Sequence, residues 1–297
     1  MLKSNLPFYE DPEGSGIPNG CDTVIDAHVH VFPGKIFKAV WGWFDQHAWK
    51  IRYKISTQEI FTHLLNRGVS HIIALQYAHK PGISELLNQY LAHKIKPFEG
   101  KVIGMATVFP GEPNADTILK KGFKLGLKGV KLHAHVQCFD MGAPCMEPIY
   151  QTCSDEKKPL IMHVGREPKS EEYKCDPYDI CSVQLLESVI KNFPDLKVCV
   201  PHLGFDETCE YRHLLEKYDN LWTDTTMVLT DYFPMKEKID LARYRMDRVM
   251  YGSDFPNIPY EWDRELKVLA QSSLTKNQLD HILFKNAADF FNLFDGS

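Results

Sequence analysis

The sequence contains no Cys-x-x-Cys pair, no Gly-x-Gly-x-x-Gly after its first apolar run, and no stripe of Lys and Arg. No run approaches the ~18 consecutive apolar residues of a membrane-spanning helix. Each absence closes a reading. Without paired cysteines a thiolate zinc ribbon is excluded, and the eight cysteines read as reduced thiols packed as small apolar residues. Without the glycine fingerprint a dinucleotide-binding open sheet loses its main signal. The net charge of −5, with no basic groove, makes nucleic acid a poor partner. The opening segment MLKSNLPFYEDPEGSG has no long apolar core, so neither a secretory signal nor an anchor is expected. The expected compartment is the cytoplasm, with no membrane partner.

What is present is ordinary globular composition: 44% hydrophobic and 25% charged over 297 residues. Residues 1–20, rich in Pro and Gly, read as a leader wrapped on the outside of one domain spanning 21–297. Within that domain apolar runs alternate with helical patterns eight times. Strands are expected at 23–30, 71–75, 102–106, 129–133, 159–163, 198–202, 221–224 and 249–251. Ser56 to Glu59 fits a capping box opening a helix with Ile60, Phe61, Leu64 and Leu65 on one face. Further helices are expected at 83–95, through 118–123, at 147–155, 181–192 and 211–218, near 235–245, at 261–271 and at 275–293. The connection 31–55 is long and holds Trp41, Trp43 and Trp49; it reads as a lid or a small inserted helix. Eight strand–helix units with no linker between them predict an α/β fold, a single (β/α)8 barrel.

The chemistry sits at the strand ends. Asp26-Ala27-His28-Val29-His30 closes strand one, and residues two apart on a strand share a face. His163 ends strand five, His202 strand six, and Asp254 follows strand eight. In a barrel the C-terminal strand ends surround one mouth, so these groups converge. Four imidazoles and a carboxylate are costly in a dry core without a partner, and a bound divalent cation removes the cost. Such a cation lowers the pKa of a coordinated water toward neutrality.

DAHVH, GVKLHAH, LIMHVG, VPHLG and YGSDFP resemble the strand-end motifs of the amidohydrolase superfamily. The nearest branch is the amidohydrolase-related group that contains aminocarboxymuconate-semialdehyde decarboxylase and 2-pyrone-4,6-dicarboxylate lactonase. The resemblance covers most of residues 22–293, including KNAADFF in the last helix. It implies one divalent metal, zinc or alternatively manganese, held by His28, His30, His163 and Asp254. It makes His202 a catalytic group beside the metal, and Asp254 both ligand and proton carrier. In binuclear branches of the superfamily a strand-four lysine is carboxylated and bridges two metals. Lys131 is therefore a candidate bridge, with His163 and His202 on the second ion.

Arg166, Tyr77, His133 and Trp41 are candidates for binding substrate. An arginine at a barrel mouth suits a carboxylate as a bidentate fork, though a surface ion pair explains Arg166 as well. His135, His79, Lys80 and Glu167 lie in the same loops, and Asp224 on strand seven is a candidate support for His202. The leading expectation is a metal-dependent hydrolase of an ester, lactone or amide in a carboxylate-bearing small molecule. A non-oxidative decarboxylase on the same site is the near alternative. A metal-binding scaffold without turnover and a metal-dependent nuclease complete the alternatives. A homodimer is expected from the resemblance alone.

Overall fold

Short runs rich in Val, Ile and Leu form the strands, because branched side chains suit a buried, pleated surface. The computed structural model describes residues 9–167, 172–233, 235 and 238–294. The strands are β1 Ile25–His30, β2 His71–Leu75, β3 Val102–Gly104, β4 Val130–His133, β5 Leu160–His163, β6 Val198–Val200, β7 Leu221–Asp224 and β8 Val249–Met250. They pair in parallel in the order β1-β2-β3 and β4-β5-β6-β7-β8. An Ala106–Val130 bridge joins the two groups beyond β3. At the other junction Ala27 N–H donates to the Tyr251 carbonyl at 3.0 Å, and Asp254 N–H to the His28 carbonyl at 2.9 Å. The expected (β/α)8 barrel is the fold.

Alternate residues face alternate sides. Ile73, Leu75, Met105, Ile161, Cys199, Trp222 and Met250 fill the interior, and Ala287, Phe290 and Phe291 of the last helix pack with them. Their neighbours, such as Ile72, Leu132, Met162 and Val200, belong to the larger core with residues of the helices. Strand β1 breaks the alternation. Ile25 and Ala27 join the interior cluster, whereas Val24 and Val29 join the larger one. A register shift between Asp26 and Val29 makes the change. Asp26 therefore does not share the face of His28 and His30. Its carboxylate accepts from Ser253 Oγ at 2.5 Å and from Ser253 N–H at 3.1 Å, tying β1 to the loop after β8.

The helix at Thr57–Asn66 has the expected capping box, with Glu59 Oε2 accepting from Ser56 N–H at 2.8 Å. The long connection after β1 contains a helix, Gly34–His47. The helix expected at 181–192 is Val183–Asn192, capped by Ser182, and a separate turn at Pro177–Ile180 precedes it. No α-helix lies near 235–245 among the described residues; Leu241–Arg243 and Met246–Arg248 are 3-10 turns. Leu241 and Tyr244, both buried, are three apart, a spacing that 3-10 turns satisfy as well as an α-helix does. Residues 9–20 lie against the outside, where Glu13 meets Arg67 at 2.7 Å and Asp11 meets Arg264 at 2.8 Å. Residues 1–8 lie outside the described residues. All eight cysteines are free. No helix among the described residues is long and apolar enough to cross a membrane.

His63, in the capped helix, stacks on Phe255 with ring centroids 5.0 Å apart. Burial, helped by Arg67 and opposed by Glu13, lowers its pKa from the ordinary 6.5 to about 4. Between those values the unfolded chain binds a proton that the folded chain refuses. The contribution is complete above pH 6.5 and is lost as pH falls toward 4. His63→Phe, which keeps a ring in place, should therefore lose less urea midpoint than wild type between those pH values. Parallel pH profiles for the two proteins would contradict this.

Candidate metal centre

Six histidines meet at the C-terminal ends of the strands. The bulge in β1 turns His28 and His30 inward. His133 ends β4, and His135 lies in the turn after it. His163 ends β5, and His202 follows β6 through Pro201. His202, Leu203 and Phe205 all have left-handed backbone, with φ of 59°, 51° and 50°. Such a run is unfavourable for non-glycine residues and is held here by its surroundings. Gly204 is required at its centre: φ is 81°, and a Cβ would stand 2.0 Å from Tyr211 Cδ2.

His28, His30 and Asp254 form the first donor group. The two Nε2 atoms are 3.2 Å apart, and Asp254 Oδ1 lies 3.4 Å from His28 Nε2 and 3.1 Å from His30 Nε2. Donor atoms held at about 2.0–2.2 Å by one cation stand roughly 3.0–3.5 Å from one another. The three observed spacings fit that shell. His28 Nδ1–H donates to Asp224 Oδ2 at 2.9 Å, which leaves the Nε2 lone pair facing the group. Burial holds both His28 and His30 below their ordinary pKa, so both are neutral donors. Burial would raise the Asp254 carboxyl, but His30 and His28 outweigh it and lower the pKa. Two neutral imidazoles and one ionised carboxylate are a donor set suited to a divalent cation.

Lys131 is fully buried, with Nζ 3.4 Å from His28 Nε2. Burial lowers its pKa to about 8, against the pull of Asp224 and Asp254. Lys131 thus adjoins the first donor group, where the binuclear reading needs it. Asp224 supports His202 differently from expectation. Its Oδ1 accepts from the His202 backbone N–H at 2.9 Å, while His202 Nδ1–H donates to the Thr226 carbonyl at 2.9 Å. The carboxylate orients the His28 ring and the carbonyl orients the His202 ring.

His163 does not join the first group. It belongs with His133 and His135 in a second set of donors within 4.8 Å of one another. Its Nδ1 lies 3.2 Å from His202 Nε2, so His202 stands between the two groups. Register makes the grouping: β4 and β5 pair with His133 opposite His163, and the rings stack at 4.1 Å.

A cavity of about 660 Å³ opens over this floor. His30, His133, His163, His202, Glu167 and Asp254 line its base. Its walls are aromatic: Trp43, Phe44, Trp49, Tyr77, Tyr173, Phe205, Tyr232 and Phe233. Tyr77 and His133 stand where substrate-binding residues were expected. Trp41 does not; it packs against the core and stacks on buried Phe37 at 5.0 Å, while Trp43 stacks on Tyr173 at 5.6 Å over the mouth. Helical spacing puts Trp43 on a different face from Trp41, and the sequence did not say which face meets the cavity. Arg166 is also absent from the lining. Its guanidinium donates to the Cys181 carbonyl at 2.6 Å and the Tyr178 carbonyl at 2.9 Å. It pins the loop after β5. Tyr173, Phe205, Tyr232 and Phe233 were not anticipated, since aromatic residues in irregular loops carry no periodic signal. His79, Lys35 and Lys174 line an adjoining cavity.

His28→Ala should lose the cation held by the first group, because a donor is removed. His202→Ala should keep it; loss from both would make His202 a ligand. Asp224→Asn should weaken zinc binding there by about 10–100-fold, the usual cost of disturbing a ligand's orienting partner. Calorimetric zinc titration of the variants provides the check, and unchanged affinity for Asp224→Asn would contradict the orienting role.

The sequence matches the family described as amidohydrolase over residues 25–293. No curated protein matches it. Among solved structures, 5-carboxyvanillate decarboxylase from Novosphingobium aromaticivorans, complexed with manganese and 4-hydroxy-3-methoxy-5-nitrobenzoic acid, superposes with a TM-score of 0.70. The match has 15% identity and covers 95% of this chain and 100% of that one. The 2,6-dihydroxybenzoate decarboxylase from Rhizobium gives 0.66 at 15% identity, covering 93% and 100% of the two chains. A Pseudomonas putida protein provisionally assigned as a 2-pyrone-4,6-dicarboxylic acid hydrolase gives 0.63 at 16%, covering 93% and 99%. At these identities the likeness concerns the fold. The family match extends from β1 through the last helix, and the chain belongs to the amidohydrolase family.

Proposed function

We propose that this protein is a divalent-metal-dependent enzyme acting on a small, planar carboxylic acid, and that it removes the carboxyl group as CO2. One observation carries the reading. Among the described residues no Lys or Arg lines the main cavity, whose walls are aromatic. A substrate carboxylate therefore finds its positive partner at the floor, beside His28, His30 and Asp254. The charged group is then the reacting group, and the apolar walls hold the flat remainder of the molecule. A hydrolase with a carboxylate remote from the scissile bond calls instead for a cation in the wall, and Arg166 is turned away from it.

The first donor group would hold the cation, which supplies Lewis-acid polarisation of a substrate oxygen when bound. The remaining work belongs to the chain. When the bond to the carboxyl carbon breaks, its electron pair stays on the ring carbon and a proton replaces CO2 there. His202, oriented through Thr226, and Asp254 are groups at the floor able to hold and pass that proton. Tyr77 and His133 border the same space, and their rings pack edge to face at 4.9 Å. The decarboxylases of hydroxylated and methoxylated benzoates that share the fold support an aromatic acid as the substrate class.

Hydrolysis is the second reading, favoured by Asp254. Its carboxylate, one of the three donors, with a lowered pKa, suits a base that takes a proton from an attacking water. One experiment separates the two. Metal-loaded protein is incubated with hydroxylated benzoic acids and with unsaturated lactones in oxygen-18 water. Decarboxylation predicts CO2 release and solvent hydrogen at the vacated carbon, with no label in the organic product. Labelled oxygen in the product without CO2 would overturn it in favour of hydrolysis. His202→Ala should slow the decarboxylation by ~10² or more, the scale of losing a positioned acid–base group. A rate within a few fold of wild type would remove His202 from the chemistry.

A further inference from the structure

The second histidine group turns unfilled nitrogen lone pairs toward one another and toward a carboxylate. A line of contacts runs from the Thr226 carbonyl to His202 Nδ1, from His202 Nε2 to His163 Nδ1, and from His163 Nε2 to Glu167 Oε2. The three gaps are 2.9, 3.2 and 3.4 Å. Both ends of the line are acceptors. Filling three gaps with hydrogen needs three protons, and two neutral imidazoles carry two. Either one ring is an imidazolium or one gap holds no hydrogen. With His202 Nδ1–H fixed on Thr226, His163 gives its proton to His202 Nε2. The bare His163 Nε2 lone pair then faces the carboxylate.

Two more lone pairs arrive at the same place. His135 Nδ1–H donates to Glu167 Oε1 at 2.7 Å, which leaves His135 Nε2 bare. The nitrogens His133 Nδ1, His135 Nε2 and His163 Nε2 are all buried without a hydrogen-bond partner. One donor from each residue lies within 4.8 Å of the others. Glu167 Oε1 also accepts from the Tyr173 hydroxyl at 2.8 Å, and no donor among the described residues fills the three bare nitrogens.

We infer that His133, His135 and His163 form a second divalent-cation site, separate from the His28–His30–Asp254 group, which takes a nitrogen-seeking ion of the zinc class. Glu167 is its positioning residue: it fixes the His135 tautomer and adds negative charge beside His163. Three imidazoles leave a coordination position for an oxygen from the cavity, which His133, His163 and Glu167 all line. The ion thus gives the cavity floor a second point of attachment for an anionic group. The assignment moves His163 off the ligand set implied by the sequence resemblance. It uses neither His202 nor a carboxylated Lys131. It goes beyond the proposed reaction and stands or falls without it.

Zinc stoichiometry is the test. Chelator-stripped protein is treated with iodoacetamide, because the Cys138 and Cys175 thiols lie 3.8 and 3.6 Å from the His135 carbonyl oxygen. It is reloaded with zinc, desalted and analysed for metal, with circular dichroism as the check on folding. Wild type should carry two zinc ions per chain, His28→Ala one, His135→Ala one, and the double variant none. Should His135→Ala not fold, Glu167→Gln should retain the first ion and bind the second at least tenfold more weakly. One zinc in wild type, or an unchanged content in His135→Ala, would overturn the second site and leave the buried line protonated instead. Absence of CO2 release would refute the proposed reaction and leave these counts as they are.

Discussion

Burial works against a second proton on four of the imidazoles at this barrel mouth. His28, His30, His133 and His163 all have pKa values pushed down by desolvation, and two ionised carboxylates, Asp254 and Glu167, stand among them. Lone pairs are therefore crowded against lone pairs and negative charge. A cation, which the proposed function places there, would resolve the conflict, and three rings are oriented by groups outside the candidate ligand sets. Asp224 turns His28, the Thr226 carbonyl turns His202, and Glu167 turns His135. Removing any of these leaves the ring but frees its orientation.

The barrel serves this arrangement through register. The shift in β1 faces His28 and His30 inward, while Asp26 is spent on Ser253 to hold the β1–β8 junction. Gly252 lies at that junction, where a Cβ would come within 2.7 Å of His28 Cβ. The left-handed turn at 202–205 aims His202 between the two donor groups. The aromatic wall comes from connections of differing length, so the floor and the wall are built by different parts of the chain.

Much of this was legible in the sequence. The strands at 71–75, 198–200 and 221–224 fall where apolar runs put them, and Ser56 and Glu59 cap as their spacing demands. The convergence of His28, His30, His163, His202 and Asp254 at one mouth follows from strand-end position in a barrel. What was not legible depends on direction rather than position. The β1 bulge, which sets Asp26 apart from the two histidines, leaves no mark in a two-residue alternation. The grouping of His163 with His133 and His135 depends on how β4 and β5 align. Arg166 looked suited to substrate by residue type, but loop carbonyls at Tyr178 and Cys181 claim its donors. Trp41 and Trp43 are two residues apart on one helix, and packing alone decides which of them meets the cavity.

The account rests most directly on a cation held by His28, His30 and Asp254. Anomalous diffraction from crystals of manganese-loaded protein, recorded on both sides of the metal's absorption edge, locates that ion without reference to activity. The account predicts a peak within about 2.0–2.3 Å of His28 Nε2, His30 Nε2 and an Asp254 carboxylate oxygen. Metal-loaded crystals with no peak among those three atoms, and with His28 Nε2 hydrogen-bonded to Lys131 instead, would contradict it.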